Sequence, residues 1–185
     1  MALEMNRRPA TVEALDRITD RIFSGAPLRE TLEELVRLVE DSTPSGMLAS
    51  ILILDESGRH LLHGAGPSLP EPYSAAINGL EIGPEVGSCG TAAFHNKTVA
   101  VFDIANNPLW ANFRDLALQY GLRACWSTPI HGSDGNVIGT FANYYRFVRD
   151  PSPRDRDLTE MVTHIAATAI ERDRQTGPAA QTSPR

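Results

Sequence analysis

The chain has 185 residues, a net charge of −6, and a composition 42% hydrophobic and 22% charged. This bounds it to one globular domain with tails, large enough to bury a core without disulfide or metal staples. The acidic balance and the lack of any Lys/Arg run exclude an electrostatic case for nucleic-acid binding. No stretch approaches the roughly 20 apolar residues of a membrane span. MALEMNRRPATVEALDR lacks the apolar core of a signal peptide. The sequence therefore reads as cytoplasmic, with no membrane partner and with Cys89 and Cys125 as free thiols.

Residues 1–10 read as a flexible N-terminus. From Thr11, the spacing of Leu15, Ile18 and Ile22 predicts a first helix, broken at Gly25-Ala26-Pro27. Leu28, Leu32, Leu35, Val36 and Val39 form the apolar side of a second helix, which ends in Ser42-Thr43-Pro44-Ser45-Gly46. MLASILILD (47–55) is apolar on both faces, as a strand covered on both sides must be. A tight turn at 56–59 returns the chain as the strand HLLHGAG. Residues 73–79 are expected to form a short helix. In GPEVGSCGTAAFHN (83–96), Ser88 is expected to cap a helix from Cys89 to Asn96.

TVAVFDI (98–104) reads as a strand, and Leu109 to Tyr120 as a helix ended by Gly121. LRACWSTPI and NVIGTFANYYR are strands joined by a hairpin at Asp134-Gly135. Alternation puts Ala124, Trp126 and Thr128 on one strand face and Cys125 and Ser127 on the other. It likewise groups Val137, Gly139, Phe141, Asn143 and Tyr145. Ser152-Pro153-Arg154-Asp155 is a capping sequence for a last helix to about Arg172. Residues 11–172 make the domain, and 173–185 read as a disordered tail. Hairpin-linked strands with long helices at both chain ends predict an α+β fold. Its antiparallel sheet would carry the terminal helices on one face and short helices and loops on the other.

Four stretches carry a resemblance to a known family: ASILILDESGRHLLHGAG, GPEVGSCGTAAFHNKTVAVFDI, GLRACWSTPIHGSDGNVIGTFANYY and PSPRDRDLTEMVTHIAATAIER. Their order and spacing resemble a GAF domain, a small-molecule sensory module related to PAS domains, over residues 28–172. The resemblance implies a six-stranded antiparallel sheet and a pocket between that sheet and residues 66–120. It also implies a homodimer formed through the terminal helices, which relay a signal to a sensor kinase or another signalling protein. No output domain follows within the sequence, which leaves a stand-alone sensor or a sensor fragment.

The expected ligand site is Ser88, Cys89, Gly90, Thr91, Trp110, Phe113, Trp126, Phe141 and Asn143. The start of a helix presents free N–H groups and a partial positive charge, which suit an anionic small molecule. Aromatic walls with a few polar groups suit a small pocket, and Asn143, if buried, needs a partner. The identity of any cofactor stays unknown.

Cys89 at a helix start has its thiolate favoured. This raises an enzymatic alternative, because free methionine-(R)-sulfoxide reductases share the fold and a similar Gly-x-Cys-Gly stretch. Their catalytic cysteine sits in Gly-His-Ile-Ala-Cys-Asp, however, whereas Cys125 lies within ACWSTPI and lacks the Gly-His pair and the following Asp. No Cys-His pair exists for a bilin. His60, His63, His95, His131 and His164 each read as structural rather than as haem ligands. The expectation is a non-catalytic sensor, with a ligand-free dimerisation module as the third possibility.

Overall fold

The computed structural model describes residues 10–43 and 45–177. The expectations for residues 1–9 and 178–185 lie outside the described residues. The chain runs α1 (Ala10–Phe23), α2 (Leu28–Asp41), β1 (Leu48–Leu54), β2 (His60–Ala65), α3 (Glu71–Ile77) and β3 (Leu80–Glu81). It continues with α4 (Gly87–His95), β4 (Val99–Val101), a single 3-10 turn (Pro108–Trp110), α5 (Arg114–Gln119), β5 (Ala124–His131), β6 (Val137–Tyr145) and α6 (Pro153–Thr176). The strands form one six-stranded sheet in the order β3-β2-β1-β6-β5-β4, and every neighbouring pair is antiparallel. This is the α+β architecture that the element order implied.

Each strand face meets a different layer. On one face Ala49, Ile51, Trp126, Phe141 and Tyr145 pack against the apolar stripes of α1, α2 and α6. Those stripes are Leu15, Ile18 and Ile22, then Leu32, Leu35, Val36 and Val39, then Leu158, Val162, Ala166 and Ile170, each at helical spacing. On the other face Leu52, Leu54, Leu61, Cys125, Ala142 and Tyr144 pack against α3, α4, α5 and the loops between them. The strand β1 is apolar at nearly every position because it has no solvent face.

The central ladder is tight. At Gly139, a side chain would run into the carbonyl oxygen of Leu52 on β1. The capping box at the start of α6 forms as expected. Ser152 Oγ accepts from the Asp155 N–H at 3.2 Å, and Asp155 Oδ2 accepts from the Ser152 N–H at 2.8 Å.

The short helix expected at 73–79 spans Glu71–Ile77 instead, and four other boundaries differ from expectation for a local reason. Ser88 is not the cap of α4. Gly87, at φ +54°, turns the chain into the helix one residue early, and Ser88 lies inside its first turn. The helix expected at 109–120 is split. Asn107 Oδ1 accepts the Leu109 N–H at 3.0 Å and fixes a single turn around Trp110, and α5 starts only after Phe113. The strand at 98–104 pairs only over Val99–Val101, because Asp103 takes the Ala105 N–H and the Asn106 side-chain amide to form a turn. Finally, α6 continues past Arg172 to Thr176.

Candidate functional site

The first turn of α4 is fastened to two other elements by one hydroxyl. Ser88 Oγ donates to the Cys125 carbonyl on β5 at 3.1 Å and accepts from the Trp110 indole N–H at 3.1 Å. One side chain thus ties α4 to the sheet and to the 3-10 turn. Thr91 also serves the helix itself: its Oγ1 accepts the N–H of Val86, the residue just before the helix, at 3.0 Å. Gly90 packs directly on the Val86 side chain, where a Cβ would stand 2.7 Å away.

Around this turn Ser88, Cys89, Trp110 and Phe113 line a cavity, together with Tyr73 from α3 and Tyr144 from β6. Its volume is about 20 Å³, roughly the room for one water molecule. The walls that would hold a ligand fill the space themselves. Tyr73 meets Tyr144 edge-on at 5.9 Å and Tyr120 edge-on at 6.2 Å.

A buried polar floor lies beneath. Cys89, 8% exposed, approaches the Tyr144 hydroxyl at 4.0 Å, and that hydroxyl lies 3.4 Å from Ser50 Oγ. The Cys125 thiol, fully buried, and the hydroxyls of Ser127 and Thr140 belong to the same buried cluster as Cys89. The Ser127 and Thr140 hydroxyls have no hydrogen-bond partner among the described residues. The Cys125 thiol, with the Ser127, Tyr144 and Thr140 hydroxyls, pulls the Cys89 thiol below its ordinary range against the opposing effect of burial. Burial pushes Cys125, Tyr73 and Tyr144 up. No Lys, Arg or His side chain lines the cavity.

The sheet separates the nine expected site residues. Ser88, Cys89, Trp110 and Phe113 converge on the cavity, while Gly90 and Thr91 sit behind it inside α4. Trp126, Phe141 and Asn143 lie on the opposite face, among α1, α2 and α6, so no single pocket gathers all nine. The reason is alternation: Cys125 pairs with Tyr144 across β5 and β6, and the next pair, Trp126 with Asn143, faces the other way. Tyr144 was therefore available from strand parity, one residue from Asn143. Tyr73 left no such signal, because α3 is too short to show a period.

Among the described residues, no three of His, Cys, Asp and Glu gather at a position that could hold a metal ion. Two of the five histidines are hydrogen-bonded at the surface: His60 to Asp55 at 2.9 Å and His131 to Asn96 at 2.6 Å. No helix among the described residues is long and apolar enough to cross a membrane.

Residues 25–171 match the family model described as GAF domain. A methyl sulfide methyltransferase-associated sensor of Methanosarcina acetivorans is 37% identical over 172 residues, covering 91% of this chain and 17% of that protein. The chain thus spans less than a fifth of that relative's length. Among solved structures, the fold is similar to the GAF domain of a phosphoenolpyruvate-protein phosphotransferase from Coxiella burnetii. There the TM-score is 0.70 at 17% identity, covering 90% of this chain and 96% of that one. It is also similar to the free methionine-R-sulfoxide reductase of Neisseria meningitidis in complex with its substrate. In that case the TM-score is 0.66 at 18% identity, covering 95% of this chain and 99% of that one. At these identities the structural likeness speaks for the fold alone.

Proposed function

The chain belongs to the GAF domain family, and on that premise we propose that it is a non-catalytic sensor of a small molecule bound between α3, α4 and the sheet. One observation carries this reading. A cluster of hydroxyls and thiols, two of its hydroxyls with no partner among the described residues, is kept in the core beneath a small cavity walled by aromatic and aliphatic side chains. Unsatisfied buried polar groups are costly, and a ligand that bonds them offsets that cost. The absence of a cationic side chain favours a neutral polar molecule over the anion that the helix start suggests by itself.

Binding requires Tyr73 or Trp110 to move out, so the closed and occupied states differ in shape. Ser88 couples Trp110 to β5, and β5 packs against α6 on its far side. Movement at the cavity therefore reaches α6, which relays it, with α1, to a second copy of the chain and to a partner signalling protein such as a sensor kinase.

Native mass spectrometry of the protein from its own host tests this. A dimer carrying a stoichiometric small-molecule adduct is expected. A monomer that stays at bare mass after screening against metabolite pools overturns both sensing and relay.

The adjacency of Cys89 and Cys125 favours one second reading, a redox enzyme of the methionine sulfoxide reductase type. Both thiols are buried, the Cys89 thiol meets the Tyr144 hydroxyl at 4.0 Å, and no His, Lys, Asp or Glu lines the cavity to serve as its general acid or base. Assay with methionine-(R)-sulfoxide, thioredoxin and NADPH should give no turnover. Turnover lost in Cys89→Ser would establish the enzyme instead.

A further inference from the structure

The opposite side of the sheet carries a larger space. A groove of about 670 Å³ runs between the start of α6, the loop after α4 and the outer strands β4 and β5. Trp126 and Asn143 form part of its lining, and they are 3% and 4% exposed. They face each other directly across the β5–β6 ladder, which places their Cβ atoms about 5 Å apart on the same face.

Each of the two residues has one polar atom without a partner among the described residues: the indole Nε1–H of Trp126 and the Oδ1 of Asn143. The Asn143 amide is oriented by α6, because its Nδ2 donates to Thr159 Oγ1 at 3.1 Å, which leaves Oδ1 as the free acceptor. A buried donor and a buried acceptor on facing residues of one ladder, neither with a partner among the described residues, are an exception to the rule that such groups are paired.

We propose that this groove is a second binding site, distinct from the cavity under α4, for a planar heterocycle bearing a cis-lactam edge. The ring carbonyl accepts from the Trp126 N–H, and the adjacent ring N–H donates to Asn143 Oδ1. The charged rim is balanced: Lys97 and Arg156 stand against Asp155 and Glu160. This favours a neutral ring over an anion or a cation. Thr159 and Thr163 of α6 form the facing wall, so an occupant spans the sheet and the long C-terminal helix.

The test uses the chain's two tryptophans, one on each side of the sheet. Their indole N–H signals are resolved by ¹⁵N NMR of the full chain and assigned with Trp110→Phe. The probes are 2-pyridone, which carries the cis-lactam edge, and N-methyl-2-pyridone, which lacks the donor. A seven-heavy-atom ring held in this way should bind at about 1 mM.

The expected result is a downfield, saturable shift of the Trp126 signal with 2-pyridone and none at Trp110. The N-methyl compound should bind at least about tenfold more weakly, as should 2-pyridone to Asn143→Leu. If Asn143→Leu fails to fold, Thr163→Phe keeps the test. It fills the groove from the helix surface without touching the sheet, and should abolish the shift. Equal response to both probes, response at Trp110 alone, or no response at either indole overturns the proposal. A Trp126 signal that changes on dilution alone gives the groove to a second copy, and overturns it as well.

Discussion

Replacing Trp110 by alanine tests whether the cavity under α4 is closed by its own walls. The indole is 4% exposed. Burying about 200 Å² of aromatic surface at about 25 cal/mol/Å² is worth about 5 kcal/mol, and core truncations of this size cost roughly 3–5 kcal/mol. The hydrogen bond to Ser88 adds less than about 1 kcal/mol, since Ser88 Oγ keeps its bond to the Cys125 carbonyl after the indole has gone. The expected loss is about 4 kcal/mol.

For a domain of this length each kcal/mol moves Tm by about 2–4 °C, so Tm should fall by about 12 °C. The truncation also opens a cavity on the order of 150 Å³, large enough for a small aromatic guest. Indole supplied at ten times its dissociation constant should return about 1.4 kcal/mol, or about 4 °C. Thermal melts with and without indole give both numbers. A fall below about 3 °C would show that the ring is not part of the packed core. A full fall that indole does not reverse would show that Tyr73 and Phe113 collapse into the space.

Gly139→Ala should cost more than about 3 kcal/mol, because its Cβ meets the Leu52 carbonyl in the central β1–β6 ladder, where neither strand can yield. A urea midpoint near that of the wild type would refute the close approach. At Asp55, slight burial raises the carboxyl, but bonds from Ser57 Oγ, the Arg59 and His60 N–H groups and the His60 ring outweigh it and hold it well below the usual range. A lowered folded-state pKa gives stability that is fully present above the unfolded value of about 3.9 and is lost as pH falls toward the folded one. The Tm gap between wild type and Asp55→Asn should therefore narrow below about pH 4, and a constant gap would refute the turn's role. Neither thiol should react with a disulfide reagent under native conditions, and Trp110→Ala should speed labelling of Cys89 first. Rapid native labelling of Cys125 would contradict its burial.

The elements were legible where a residue's neighbours along the chain decide its state. The two-sided strand β1, the stripes of α2 and α6 and the Ser152–Asp155 box all show in local pattern. The misreadings share another cause. Ser88 reads as a cap by residue type, yet its place in α4 was set by the φ angle of Gly87, which composition does not reveal. Parity along β5 correctly separated Trp126 from Cys125. It did not say which of those faces the terminal helices would cover, because a strand pattern fixes alternation and not the layer beyond. Trp126, Phe141 and Asn143 were therefore grouped with Ser88 and Cys89 across a sheet that divides them. Tyr73 became a wall of the cavity through long-range packing that its own short helix does not foretell.

The β5–β6 ladder has one further consequence. The rung Cys125–Tyr144 belongs to the floor beneath α4, and the very next rung, Trp126–Asn143, lines the groove beside α6. The two spaces thus lie on opposite faces of one sheet, served by neighbouring rungs about 3.3 Å apart along the strand. Side-chain replacements can retune either compartment alone, since successive residues along a strand point to opposite faces. Backbone displacement has no such privacy. A shear or added twist that widens one compartment must reshape the other, so two occupants would sense each other without any chain of intervening side chains.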